Sequence, residues 1–207
     1  ADETIKYNVT DGATGTVNIT VTGPDGVTRT FNDVPIENGT VGVNVADLPA
    51  GNYSVNVTYN GDGNFNPSSS VANFSVSKAS PTLSVNTTDI DYNTSEPVKV
   101  NVTGVEGGDV PTGNVTVIIT DANGEAVYNK THPIENGVVT VPVENLPAGD
   151  YDVNVTYNGD DNYANSTFTG SFTVNSINST VTVEPVNITY GADETIKYNV
   201  TDGATGT

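Results

Sequence analysis

Two stretches of the chain alternate apolar and polar residues with a period of two: Tyr53, Val55, Val57 and Tyr59 in one, and Tyr151, Val153, Val155 and Tyr157 in the other. Such alternation puts every second side chain on one face and predicts a half-buried antiparallel strand. Asn56 and Thr58, like Asn154 and Thr156, then point the opposite way. Each run sits inside an 18-residue block, residues 48–65 and 146–163, and the two blocks lie 98 positions apart and agree at 14 of 18 positions. In both, a Pro-Ala-Gly bend opens the strand and an Asn-Gly-Asp turn closes it.

The same alternation, interrupted by turn residues, predicts strands at 82–86, 96–103, 114–120, 125–130, 138–143, 151–157 and 167–174. Turn signals fall between them, among them Asn93-Thr94, Gly107-Gly108, Asn123-Gly124, Asn136-Gly137 and Asn158-Gly159. Helical periodicity is absent. About seven short strands in about 95 residues suit an immunoglobulin-like β-sandwich. The fold class expected is therefore all-β, with tandem immunoglobulin-like sandwiches in an extended array. The Pro-Ala-Gly-Asp-Tyr corner before the sixth strand resembles that fold's tyrosine corner and assigns Tyr151 and Tyr53 a structural role.

Repetition organises the whole chain. Residues 1–16 return unchanged as 192–207, and Pro35-Ile36-Glu37-Asn38-Gly39 recurs 98 positions later as Pro133-Ile134-Glu135-Asn136-Gly137. Between Lys6 and Lys99 the offset is 93, and the longer loop at 104–112 absorbs the difference. A period this long is that of whole domains in tandem. The divisions expected are 1–79, a sandwich lacking its first strand; 80–178, a complete one; and 179–207, the first strands of a third. Nothing in the first unit corresponds to residues 82–92, while residues 180–191 repeat that opening segment without a sandwich behind it. Either the chain is a window on a longer repetitive polypeptide, which the 16-residue identity of its ends favours, or the tail of one chain completes the first unit of the next by strand donation. The partners expected are thus neighbouring repeats, of the same chain or of adjacent subunits.

Composition narrows the function. There is no Cys, so disulfides, thiolate nucleophiles and cysteine-based metal sites are excluded and stability rests on packing and sheet hydrogen bonds. A formal charge of −19, with six Lys and Arg against 25 Asp and Glu, disfavours nucleic acid and anionic membrane surfaces. Apolar runs stay far below the ~18 residues of a membrane span. Ala1 reads as the middle of a repeat, and nothing at the N-terminus resembles a signal peptide. Asp and Glu are scattered over turns with no recurring pair across a cleft, so no catalytic residues are assigned.

Sixteen Asn residues begin an Asn-X-Ser/Thr triplet: Asn8, Asn18, Asn38, Asn52, Asn56, Asn73, Asn86, Asn93, Asn101, Asn114, Asn129, Asn154, Asn165, Asn178, Asn187 and Asn199. Strands rich in Asn and Thr generate some of these by themselves, yet random placement predicts only about six. In a strand, i and i+2 share a face, so these Asn are candidate N-glycosylation sites on solvated surfaces. The acidic loops 60–64 and 158–162 offer oxygen ligands at alternate positions, which makes calcium the one cofactor to consider. Both lack a bidentate Glu, and turns capped by their own side chains are the preferred reading. Junctions near Lys78 and Asn175 lack clustered acids, against calcium-stiffened linkers. Lys6, Lys99 and Lys197 hold one equivalent position and share the outward face, which disfavours a buried Lys–Asn crosslink. His132, the single histidine, is expected in an exposed or turn position.

At Gly149-Asp-Tyr-Asp-Val-Asn-Val-Thr-Tyr-Asn-Gly-Asp-Asp-Asn-Tyr163 the chain resembles the bacterial-type Ig-like repeats of large surface and adhesin-like proteins. Its Asn-rich, cysteine-free style is most similar to those of methanogenic archaea. The resemblance implies an extracellular, N-glycosylated stalk, fibre or filament segment acting as a rigid spacer, without catalytic residues. The alternative it leaves open is an adhesin module that binds a glycan or partner-cell protein through loops such as 104–112 or 160–163.

Overall fold

The computed structural model describes residues 3–36, 40–184, 187–193 and 195–201, and every regular element among them is a β-strand. In the first unit β1 (Glu3–Asn8) and β4 (Thr40–Val45) form a small antiparallel sheet. β2 (Thr16–Thr22), β3 (Thr28–Pro35), β5 (Gly51–Tyr59) and β6 (Ser68–Val76) form a larger one in the order β3-β2-β5-β6.

The second unit repeats this layout with two additions. β9 (Val98–Thr103) and β12 (Val138–Val141) stand for β1 and β4, while β10 (Asn114–Asp121), β11 (Ala126–Pro133), β13 (Gly149–Tyr157) and β14 (Ser166–Asn175) stand for β2, β3, β5 and β6. The additions come from the opening segment, which crosses from one sheet to the other. β7 (Thr82–Asn86) pairs antiparallel with β9, and β8 (Ile90–Asp91) pairs parallel with the end of β14. In the tail, β15 (Val181–Glu184) and β16 (Lys197–Val200) make an antiparallel pair.

Alternate residues meet between the sheets. Val17, Ile19 and Val21 of β2, and Val115, Val117 and Ile119 of β10, are fully buried, as are Val153, Val155 and Tyr157 of β13 to within 1%. Their neighbours Asp152 and Asn154 face solvent. Each unit has its own core, and the two tyrosine corners form as the sequence suggests. Tyr53 Oη donates to the Pro49 carbonyl at 2.7 Å and Tyr151 Oη to that of Pro147 at 2.8 Å. The rings stack on Phe74 and Phe172, so one residue both fills the core and fixes the bend that leads into its strand.

Strand boundaries differ from the sequence expectation for local reasons. β9 begins after Pro97 and β12 ends before Pro142, because proline has no N–H for the ladder. β11 runs to Pro133, so His132 lies within a strand instead of at a turn. Half-buried, its Nε2 sits 2.7 Å from Tyr128 Oη. The Asn136-Gly137 turn forms with both residues at positive φ, 53° and 78°, as a two-residue hairpin turn of the primed type requires.

The fold makes two stability predictions. Ile119→Ala should destabilise the protein by about 2–5 kcal/mol, the usual cost of hollowing a closed core. Tyr151→Phe, which keeps the ring and loses the corner bond, should cost about 1 kcal/mol. Urea melts followed by tyrosine fluorescence or circular dichroism check both, and equal effects would contradict the assignment.

Candidate functional site

Fifteen of the sixteen acceptor Asn fall on described residues; Asn38 lies outside them. Asn8, Asn52, Asn56, Asn73, Asn86, Asn93, Asn101, Asn114, Asn129, Asn154, Asn165, Asn178, Asn187 and Asn199 are exposed. Asn18 is the exception. Half-buried on β2, it donates from Nδ2 to Asn60 Oδ1 at 3.2 Å and accepts at Oδ1 from the Asp33 N–H at 2.9 Å. The second bond is made where the β2–β3 ladder shifts register between Val17 and Ile19, with Asp33 at φ 53°. A bulge of this kind leaves a backbone donor unpaired, and Asn18 fills the vacancy. Lys6, Lys99 and Lys197 are exposed.

In both acidic loops one aspartate is consumed by the chain itself. Asp62 accepts the N–H groups of Asn64 and Phe65 on Oδ1, and the Thr14 N–H and hydroxyl on Oδ2, all within 2.8 Å. Asp160 repeats the arrangement with Asn162, Tyr163 and Thr112 at 2.7–3.1 Å. The backbone N–H of Asn64, then those from Thr14, hold the Asp62 carboxyl far below the usual carboxylate range. For Asp160 burial pushes upward, but the N–H groups of Thr112, Tyr163 and Asn162 outweigh it and the net shift is downward. These carboxylates staple a loop to the strand entry beside it, and among the described residues no group of three or more acidic or histidine side chains is placed to hold a metal.

The loops named as candidate recognition surfaces are tied to each other. Tyr163 is buried and its hydroxyl donates to the Asp109 carbonyl at 2.6 Å. A Cβ on Gly104 would lie 2.4 Å from that hydroxyl and one on Gly108 2.6 Å, so both positions need glycine. Phe65 occupies the place of Tyr163 in the first unit, where the corresponding loop is five residues shorter. The hydroxyl is present where there is a longer loop to anchor.

Asn162 also joins the two units. Its backbone carbonyl accepts from the Ala79 N–H at 2.9 Å, and its side-chain Oδ1 accepts from the Ala50 N–H at 3.0 Å. The Ala164 N–H returns to the Ala79 carbonyl at 2.9 Å, and Lys78 Nζ donates to the Asp160 carbonyl. Residues 78–79 are thereby held against the second unit while Ala50 of the first is bonded directly to it. The sequence repeat hid this role, since Asn64 and Asn162 are the same residue in the two copies and, among the described residues, the bonds to a neighbouring unit are made by Asn162.

The lowered carboxyls set a pH dependence. A depressed pKa contributes stability above the value for an unfolded Asp, about 3.9, and that contribution is lost as pH falls through the folded value. The melting temperature should therefore hold steady from pH 7 to about 5 and fall below about pH 4. Asp62→Asn and Asp160→Asn should lower it at pH 7 and flatten the acid limb. Thermal melts across this range check the prediction, and an unchanged acid limb in both variants would refute it.

Comparison with known proteins bears on this architecture. Residues 1–77 and 83–175 each match the bacterial Ig-like domain, group 3. No curated protein sequence matches the chain. Among solved structures it is similar to a tetra-tandem repeat in the extending region of a large adhesion protein, at 22% identity and TM-score 0.48, over 83% of this chain and 49% of that one. The chain thus spans about half the length of that array. It is also similar to the fibronectin(III)-like modules of Clostridium thermocellum CbhA, at 12% identity and TM-score 0.35 over 84% and 86% of the two chains. A third similarity is to the titin domains z1z2 in complex with telethonin, at 15% identity and TM-score 0.44 over 86% and 90%. With each matched stretch spanning one sandwich and the two together most of the sequence, the chain belongs to the bacterial Ig-like domain family, group 3.

Proposed function

We propose that the chain is a structural repeat segment of a long extracellular, N-glycosylated cell-surface protein, a stalk, fibre or filament in which each sandwich is a rigid spacer. The observation that carries this reading is the junction at Ala50, Lys78, Ala79 and Asn162, where hydrogen bonds run directly from unit to unit. A flexible linker would let neighbouring domains reorient; a bonded junction resists bending and passes direction along the array. The role is mechanical, and catalysis has no part in it. The exposed acceptor Asn support an extracellular setting, because bulky sugars there would shield strand edges without entering a core. An archaeal source, suggested by the Asn-rich and cysteine-free style, belongs to the same proposal. The loops at 104–112 and 160–163 are bonded to one another, which weighs against the alternative of a recognition module.

Two measurements test the reading. Small-angle scattering should give a rod with a maximum dimension of roughly 70–90 Å for the two sandwiches, from about 3.3 Å per strand residue plus loops. Asn162→Ala should broaden the distance distribution without lowering the melting temperature of either unit appreciably, and a wild type as flexible as the variant would defeat the spacer role. Peptide mapping of native material should find glycans on exposed acceptors and leave Asn18 bare. Material without any glycan would remove the extracellular, glycosylated part of the proposal.

A further inference from the structure

In the two sandwiches, three large aliphatic side chains stand on outer faces of the ladders, where alternation otherwise places polar residues. Val71 of β6 is 64% exposed, Val138 of β12 is 40% exposed and Ile118 of β10 is half-buried. Each lies directly opposite an Asn that opens an acceptor triplet. Val71 pairs with Asn56, Val138 with Asn101, and Ile118 with Asn129 on one side and Asn154 on the other. Val127, which the register shift between β10 and β11 leaves without an opposite residue, is two positions from Asn129 on the same strand. All four Asn are exposed, and none of their side chains is hydrogen-bonded among the described residues. Asn18 differs on both counts, being bonded to Asn60 and Asp33 and having Thr58 opposite it on β5.

Single exposed aliphatics are ordinary on a protein surface. What these share is their neighbour. Ile118 and Val138 belong to the two facing sheets of one sandwich and Val71 to the other sandwich, so no single partner surface covers all three. Thr169, at the place of Val71 in the second unit, is exposed too, so this outer position is open in both units. A group fixed at each Asn reaches every one of them. Residues that face one another across an antiparallel ladder point to the same side, with Cβ atoms about 5 Å apart.

We propose that glycans at Asn56, Asn101, Asn129 and Asn154 are packed onto the sheets, the first sugar ring of each laying its C–H face over the aliphatic side chain opposite. The proposal rests on the N-glycosylation proposed above and adds which acceptors carry structural sugars and what those sugars touch. The bond is the ordinary one: Nδ2 of the Asn attacks the anomeric carbon of an activated sugar phosphate, the phosphate departs and an amide proton is released. A pyranose is about as wide as the spacing between strands, roughly 5 Å, so a ring held at Nδ2 reaches the next side chain without distorting the ladder. Its C–H groups meet the methyls while its hydroxyls stay in water, so apolar surface is covered and no polar group is stranded. Ile118 has an acceptor on each side and is covered from either.

Melts of the full 207-residue chain, made with and without its glycans, are the test. In glycosylated protein Asn56→Gln and Asn101→Gln should each lower the melting temperature of the unit that carries them by a few degrees. Val71→Thr and Val138→Thr should lose the same increment, because either change ends the contact. In unglycosylated protein all four should leave the melt unchanged, since threonine keeps the β-branch and the positions are solvated. Asn73→Gln and Asn86→Gln, opposite Ser54 and Lys99, should change nothing in either form. Equal effects of Val138→Thr with and without glycans overturn the proposal and leave the glycosylated spacer standing. Peptide maps with sugar at other acceptors and none at these four overturn it as well, whereas a chain bearing no sugar at all removes both.

Discussion

Burial of every second residue between two facing sheets is the constraint from which the rest of this molecule follows. A strand that slipped by one residue would carry Val153, Val155 and Tyr157 into solvent and bring Asp152, Asn154 and Thr156 into the core. Fully buried residues on β2, β10 and β13 leave no room for that alternative. The same constraint decides the surface. With the inner positions taken by valine, isoleucine and tyrosine, the outer ones are free to be Asn and Thr, and the acceptor triplets accumulate there as a consequence of pleating.

Loop chemistry extends this rigidity beyond the sheets. Each unit spends a tyrosine on its corner and an aspartate on its acidic loop, and in each case the side chain satisfies backbone groups that would otherwise face water or go unpaired. Tyr163 and Asn162 carry the principle further, the first anchoring the long loop at 104–112 and the second binding the preceding unit. Polar residues that resemble ligand-binding groups in the sequence are therefore engaged in holding the chain's shape. Such an arrangement suits a part that transmits position along an array.

Much of the fold was legible because alternation and Asn-Gly turns are strong local signals, and because two copies of one pattern check each other. The two tyrosine corners were readable on those grounds. Ile90–Asp91 was not, since a two-residue strand has no period to detect and its partner β14 is more than eighty positions away. Extension of β11 through His132 depended on pairing with β10, which overrides a sequence rich in turn-forming residues. At the candidate site, exposure of most acceptor Asn followed from strand phase. The engagement of Asn18 arises from a bulge, and the junction role of Asn162 arises from a contact between units. Neither has a local signature, because both depend on residues brought together only by the fold.

Absence of cysteine from the chain makes the central claim directly measurable. Single cysteines introduced one at a time from position 152 to 156 on β13 would be reacted with a thiol reagent under native conditions. The account predicts rapid labelling at 152, 154 and 156 and labelling at 153 and 155 only after unfolding. Uniform rates along the strand, or fast labelling at 153 and 155 with protection at 154, would contradict it.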